Sequence, residues 1–398
     1  MAMDRVALIH YHELSLKGEN KPFFEKTLCA NIKRAAGAAF FIKTDIVAGR
    51  IVLWFRSGAD EAELTRRLKR VFGIANISFA QVLPYDKDRA FAAIVAELKH
   101  RSFGTFRVTA RRADKNFPLT SQEISNELGA LIVQEIGARV SLTHPELTCF
   151  VEIVRSLFFF YTTKEQGYGG LPMGTSGRVC ALVSGGFDSP VAAWKMMRRG
   201  CEVVFVHFHS YPYTSAASRE NVHNIVRMLA QWQGGATAYF VPLLGIQQEI
   251  TAQLSDARQR VVLYRRFMLR IAEAIAKKEQ CGALVTGDSL GQVASQTLDN
   301  IGVISEAVTA PVFRPLVGEN KDDIIALARV IGTHDTSCEP HDDCCSLFMP
   351  EHPETRAQLA VIRAMEAQLP VAKLETAALA AADIVHVPVQ DERIGVDK

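Results

Sequence analysis

Residues 179–190 read Val179-Cys180-Ala181-Leu182-Val183-Ser184-Gly185-Gly186-Phe187-Asp188-Ser189-Pro190. An apolar, β-prone run stops at Ser-Gly-Gly and resumes as a helix-like pattern through residue 197. Two adjacent glycines let the backbone turn tightly and aim several N–H groups at one point. The helix start that follows adds partial positive charge. Together they make a cradle for a phosphate-sized anion. It is not the Walker form, which needs G-x-x-x-x-G-K-[ST]. A Gly-Gly turn alone is usually only structural; the strand before it and the helix after it are what point to an anion.

The surrounding pattern supplies the sheet. After residue 178, strand-like and helix-like segments alternate: 179–183, 189–197, 202–207, 218–233, 236–242, 264–278 and 283–286. This predicts an α/β domain with a doubly wound parallel sheet. The first ~55 residues read β-α-β-β, with apolar residues at four-residue steps (Phe24, Leu28, Ile32) over a helix at 21–36. Strands are predicted at 6–9, 40–45, 51–55, 77–83 and 105–111, and helices at 61–72, 89–100 and 121–136. Thr120 or Ser121 is the N-cap of the last. Residues 151–163 are apolar and aromatic and should be buried sheet. Residues 167–177 hold five glycines and one proline and read as a linker. The chain therefore divides into an α+β unit at 1–58, a second α+β unit at 59–166, the linker at 167–177, and the α/β domain with its tail at 178–398.

Composition narrows the setting. No apolar run approaches the ~18 residues of a membrane-spanning helix, and residues 1–10 lack the pattern of a signal peptide. Eight cysteines at irregular spacing in 398 residues do not resemble a secreted disulfide scaffold. A cytoplasmic protein with reduced thiols is expected. Residues 1–177 carry 24 Lys and Arg against 18 Asp and Glu, and the remainder 21 against 25. A basic front half joined to an anion-binding back half suggests a polyanionic partner; ordinary solvated surface charge is the competing account.

Several strings point to one family. They are Glu13-Leu14-Ser15-Leu16-Lys17-Gly18-Glu19-Asn20, Arg112-Ala113-Asp114-Lys115-Asn116-Phe117-Pro118-Leu119-Thr120-Ser121, Gly169-Gly170-Leu171-Pro172-Met173-Gly174-Thr175-Ser176-Gly177, and Thr286-Gly287-Asp288-Ser289-Leu290-Gly291-Gln292-Val293-Ala294-Ser295-Gln296-Thr297. With the Ser184–Ser189 loop, which has the form of the PP-loop of ATP pyrophosphatases, they resemble the tRNA 4-thiouridine synthetase family over roughly residues 5–365. The resemblance implies the order ferredoxin-like, THUMP, PP-loop. It implies that ATP, with Mg²⁺, adenylates the C4 oxygen of a uridine near position 8 of tRNA, and that persulfide sulfur then displaces AMP. Adenylation makes chemical sense, because a uracil carbonyl oxygen is a poor leaving group.

Candidate roles follow. Ser184, Gly185, Gly186 and Ser189 would cradle the phosphates. Asp188 would position Mg²⁺ or the triphosphate, unless it is an ordinary helix-start carboxylate. Lys321 matches a lysine the family uses in adenylation, where its charge would stabilise the transition-state phosphate; a solvated lysine is the alternative. Leu182 and Val183 would contribute backbone. His207 and Phe208 end the second predicted strand, where adenine would sit, although Phe208 also suits the core. Arg265, Gly287 and Gln296 match family positions that contact the nucleotide, with Arg266 competing with Arg265. Arg107, Arg111, Arg112 and Lys115 would bind tRNA phosphates.

Sulfur chemistry needs a thiolate. The family's reactive cysteine matches Cys345 best, with Cys344 the runner-up. Cys29, Cys149, Cys180, Cys201 and Cys281 lie in apolar stretches and read as core residues. Cys338, Cys344, Cys345, His334 and His341 have no standard zinc spacing and no C-x-x-C pair, so no metal is expected at this cluster. Longer family members carry a rhodanese domain with a second reactive cysteine; residues after the α/β domain here form only a short tail. Sulfur is therefore expected directly from a partner cysteine desulfurase. A homodimer is expected from the resemblance. A small-molecule PP-loop ligase or amidotransferase would need neither the basic front half nor Cys344-Cys345, and a non-catalytic RNA-binding module would not need the Ser184–Ser189 loop.

Overall fold

The computed structural model describes residues 5–340, 344 and 348–388. The chain forms two compact units, Met1–Pro172 and Met173–Lys398.

The first unit is built on one nine-stranded sheet, ordered β2-β3-β1-β4-β8-β7-β5-β6 with β9 also on β4. Its strands are β1 (Arg5–His10), β2 (Phe41–Val47), β3 (Arg50–Phe55), β4 (Asn76–Leu83), β5 (Thr105–Arg112), β6 (Arg139–Val140), β7 (Leu147–Val154), β8 (Leu157–Tyr161) and β9 (Glu165–Gln166). Its helices are α1 (Lys21–Phe40), α2 (Glu61–Lys69), α3 (Lys87–Leu98) and α4 (Ser121–Ile136). The helix predicted at 21–36 loses helical geometry at Gly37, whose φ is +69°. A residue with a Cβ resists that conformation, so the regular helix ends where the periodicity stops. Thr120 is the N-cap of α4: its hydroxyl accepts from the Glu123 N–H while the Glu123 carboxylate accepts from the Thr120 N–H, a reciprocal capping box.

The apolar segment at 151–163 is the β7–β8 hairpin, turned by Arg155 and Ser156 at positive φ. It carries no polar alternation because both faces are covered. Phe158 and Phe160 pack with Ile94, Phe106, Ile124 and Leu128. Phe159 and Tyr161 pack on the other face with Val6, Leu8 and Val52. On that second face Glu152 is buried, and Tyr161 donates to it at 2.6 Å. His10 Nε2 lies 3.0 Å from the same carboxylate, and the Arg50 guanidinium also bonds it. Burial alone would raise this carboxyl's pKa; His10, Arg50 and Tyr161 overcome that and hold it at about 2. The network ties β1 and β3 to β7 and β8.

The second unit has a six-stranded sheet, ordered β14-β13-β10-β11-β12-β15. Its strands are β10 (Arg178–Leu182), β11 (Glu202–His209), β12 (Ala236–Pro242), β13 (Ala283–Val285), β14 (Val312–Phe313) and β15 (Asp383–Val387). The first five run parallel, while β15 pairs antiparallel with β12. The helices are α5 (Asp188–Arg198), α6 (Ala216–Gln233), α7 (Leu244–Gln253), α8 (Arg260–Lys278), α9 (Leu298–Ser305), α10 (Lys321–Ile331), α11 (His334–Cys338), α12 (Leu359–Glu366) and α13 (Val371–Ala380). β10 neighbours β11 on one side and β13 on the other, so strand order reverses beside it. A ligand crevice forms at such a reversal, beyond the carboxyl ends of the strands. The antiparallel edge strand and the start of α8 at Arg260, four residues before the predicted 264, were not legible in the pattern. No described helix is long and apolar enough to cross a membrane.

Candidate active site

β10 ends at Leu182 and α5 begins at Asp188, so residues 183–187 make the turn. Ser189 closes it: its hydroxyl accepts from the Ser184 N–H at 2.8 Å and lies 3.2 Å from the Ser184 hydroxyl. The loop and the first turn of α5 border a cavity of about 290 Å³. Leu182, Val183, Ser184, Gly185, Gly186 and Ser189 all line it. Gly287, just beyond β13, lines it too, and there the backbone leaves no room for a side chain. A Cβ at 287 would sit 2.6 Å from the Ser189 nitrogen, closer than atoms pack.

Asp188 is the first residue of α5 and lines the same cavity. Lys321 Nζ, at the start of α10, lies 2.7 Å from one of its oxygens. Gln292 Nε2 donates to the other at 3.0 Å. The Lys321 ammonium also lies 5.5 Å from the centroid of the Phe187 ring. A lysine and an acid far apart in sequence thus meet at the starts of α10 and α5.

Further lining residues come from β11 and α8. His207 Nδ1 lies 3.0 Å from the Val183 carbonyl, and its ring packs edge-on to Phe240. Phe208 is buried and lines the cavity, serving core and wall together. Arg265 and Arg266 part ways. Arg265 faces the cavity and pairs with Asp288 at 2.5 Å. Arg266 is buried elsewhere and bonds Glu306 and Glu366. Successive helical residues point about 100° apart, so only one of the two can face the site.

Asp288, just beyond β13, is the residue on which several cavity side chains converge. It is buried, receives Arg265, accepts from the Thr286 hydroxyl at 2.7 Å, and lies 3.1 Å from Arg314 Nε. Gln296 Nε2 is 3.5 Å away. Burial would raise its pKa, but Arg265, Thr286 and Arg314 hold the carboxyl below the usual range. Asp288, Gln292 and Arg314 are cavity residues that the sequence reading did not single out. The signal for the first two was their place in the string right after β13.

Cys344 is 7% exposed and is among the residues that line the cavity. Cys345 and His341 lie outside the described residues. Cys338 is exposed, 3.8 Å from His334 Nε2. Cys149, Cys180 and Cys201 are buried, and Cys29 and Cys281 are half-buried. Burial pushes the Cys149 thiol up to about 12 and Cys281 to about 11, which removes their thiolate at neutral pH.

The four basic candidates of the first unit do not form one cluster. Arg107 and Arg111 alternate on β5 with the same facing as Phe150 and Glu152. Lys164 joins them, its ammonium 4.0 Å from the centre of the Phe150 ring. Burial, Arg111 and Arg107 together hold its pKa below the ordinary lysine value. Arg112 turns the other way and donates to the carbonyls of Lys115 and Phe117, at 3.3 and 2.9 Å. Lys115 lines a separate concavity with Asp114, Asn116, Arg155 and Ser156.

Comparison with known proteins agrees across the chain. The family model described as Thiamine biosynthesis protein (ThiI) matches residues 174–371. The ThiI ferredoxin-like domain matches residues 6–78, and the THUMP domain residues 88–163. A "Probable tRNA sulfurtransferase" of Thermus thermophilus is 45% identical over 95% of this chain and 93% of its own. One of Alkaliphilus oremlandii is 40% identical over 98% of this chain and 100% of its own. A crystal structure described as a 4-thiouridine synthetase–RNA complex with bound ATP superposes with a TM-score of 0.86 at 35% identity, covering 96% of this chain and 100% of that one. The protein PH1313 of Pyrococcus horikoshii, at 23% identity and a TM-score of 0.64 over 82% of this chain and 99% of its own, shares the fold. Carrying the ferredoxin-like, THUMP and ThiI modules in that order, and matching such relatives over nearly its whole length, the chain belongs to the tRNA sulfurtransferase (4-thiouridine synthetase) family.

Proposed function

We propose that the protein is an ATP-dependent tRNA sulfurtransferase that converts a uridine near position 8 of tRNA to 4-thiouridine. The observation that carries this reading is the meeting of the Ser184–Ser189 loop, Asp188 and Cys344 around one cavity, with Lys321 bonded to Asp188. An anion cradle, a cation and a cysteine segment are the parts that nucleotidyl transfer followed by sulfur transfer requires.

ATP lies with its triphosphate over the loop amides and its base toward His207 and Phe208. The uracil C4 oxygen attacks the α-phosphorus; the bond from that phosphorus to the bridging oxygen breaks, and pyrophosphate leaves. Lys321 neutralises charge that develops on the phosphate. Asp188 holds Lys321 until then. Of the two carboxylates among the described cavity residues, Asp288 is clasped by two arginines. Asp188 is therefore the residue that would hold Mg²⁺. Bound there, the ion would offset triphosphate charge.

Sulfur transfer follows. The terminal sulfur of a Cys345 persulfide attacks C4, the C4–O bond breaks, and AMP departs with the oxygen. A second thiolate attacks the cysteine sulfur and leaves the new sulfur on the base, so the two thiols end as a disulfide. An external thiol reduces it for the next cycle. A cysteine desulfurase supplies the sulfane sulfur. The enzyme works in the cytoplasm as a homodimer, with Arg107, Arg111 and Lys115 among its contacts to tRNA phosphates.

The test is nucleoside mass spectrometry of unmodified tRNA incubated with the protein, ATP, Mg²⁺, cysteine and a cysteine desulfurase. 4-Thiouridine should appear only when ATP is present. Its absence, with pyrophosphate release intact, would refute the sulfur step.

A further inference from the structure

Gln247 and Ser210 form a buried polar bridge to the cysteine segment. Both are fully buried. Gln247 lies on α7; Ser210 follows the last residue of β11, the strand that carries His207 and Phe208. The Ser210 hydroxyl donates to the Gln247 side-chain carbonyl. The Gln247 amide nitrogen then donates to the backbone carbonyl of Cys344 at 2.7 Å. Ser210 is itself held, its N–H donating to the Thr214 hydroxyl at 3.1 Å.

A buried amide is tolerated only when its polar ends are bonded. Its neighbours on α7, Ile246 and Ile250, belong to the apolar core. A hydrocarbon side chain of similar volume would fill such a place without any need for partners. What glutamine adds is a fixed line from the end of β11 to the Cys344 carbonyl. Gln247 does not line the nucleotide cavity, whereas Cys344 does.

We propose that Gln247, supported by Ser210, is a positioning residue for the sulfur-transfer half of the reaction. It fixes the backbone at Cys344, one peptide bond before Cys345, relative to the strand that forms the nucleotide wall. Adenylation does not need it, because the phosphate loop, Asp188 and Lys321 are held by other bonds. The proposal rests on the reading of Cys345 as the sulfur carrier.

The experiment compares wild type, Gln247→Met and Ser210→Ala in two assays: tRNA-dependent pyrophosphate release, and single-turnover 4-thiouridine formation by persulfide-loaded protein. Misplacing a reacting group by about 1 Å costs on the order of 10² in rate. Gln247→Met should therefore lose about that factor in sulfur transfer while pyrophosphate release stays near wild type. Ser210→Ala, which cuts only the far link, should shift the same assay in the same direction by less. Cys344 should also become open to alkylation in the native Gln247→Met protein. Parallel loss in both assays would make Gln247 a general stability residue and overturn the proposal. So would wild-type sulfur transfer in both variants. A wild type that releases pyrophosphate but never thiolates tRNA would remove the premise, a failure distinct from that of the variants.

Discussion

Lys321 Nζ lies 2.7 Å from Asp188 Oδ1, joining the first residue of α10 to the first residue of α5. With Gln292 on the other oxygen, each oxygen of the Asp188 carboxylate accepts from one side-chain donor.

Asp188→Ala and Lys321→Ala should each lower tRNA-dependent pyrophosphate release by about 10²–10³, the cost of one charged transition-state contact. Binding of tRNA should stay near wild type, because neither residue lies in the first unit. Filter binding alongside pyrophosphate release checks both halves. Near-normal release by either variant would take that residue out of the mechanism.

Gly287→Ala should damage the phosphate cradle without unfolding the domain. The added methyl would meet the Ser189 nitrogen at 2.6 Å, so α5 or the segment after β13 must move. A shift near 1 Å in a positioning element costs about 10² in rate. Pyrophosphate release as a function of ATP concentration should show the loss, while the thermal midpoint moves by only a few degrees. A wild-type ATP response would show that the loop accommodates the methyl freely.

For tRNA affinity, the double variant Arg111→Ala with Lys115→Ala should flatten the dependence of log K on log salt by ~1–2, as expected for the loss of one or two phosphate contacts. Arg112→Ala should act differently. Its guanidinium holds two loop carbonyls, so its loss should cost about 1–2 kcal/mol of stability. Titrations at several salt concentrations, with thermal melts, separate the two effects. An unchanged slope in the double variant would mark those charges as solvated surface.

Cys345→Ser should still release pyrophosphate but form no 4-thiouridine, since serine cannot carry a persulfide. Cys344→Ser should slow multiple turnover more than the first turnover if its thiol resolves the intermediate. Single-turnover assays with persulfide-loaded protein distinguish them. If Cys345→Ser thiolates tRNA normally while Cys344→Ser does not, the two roles are exchanged.

The Glu152 network predicts acid sensitivity of the first unit. Its folded pKa, about 2, lies below the unperturbed 4.5. The stabilisation is therefore fully present above about pH 4.5 and is lost as pH falls toward 2. At one unit per 1.36 kcal/mol, the shift from 4.5 to about 2 is worth on the order of 3 kcal/mol. Glu152→Gln should be destabilised at neutral pH and should show a flatter stability profile between pH 4.5 and 2, measured by urea denaturation. A profile as steep as wild type would assign the acid loss to other carboxylates.

Local chemistry determined much of this protein. The Ser-Gly-Gly turn between an apolar run and a helix start is a short-range property, and so are the four-residue periodicity of α1 and the Thr120–Glu123 cap. Each was legible because the residues that enforce it are neighbours in the chain. The family strings, too, identified the modules and the reaction class. Tertiary structure decided what depends on contacts between distant segments. It turned Arg265 to the cavity and Arg266 away, because a helix separates consecutive side chains by about 100° and only packing sets which face is inward. It brought Lys321 and Gln292 onto Asp188 and converged Arg265 and Arg314 on Asp288. It also scattered the four basic candidates, since Arg111 and Arg112 leave opposite faces of β5. Charge and spacing name the residues that chemistry can use; the fold, by choosing which faces meet, selects those that share a site.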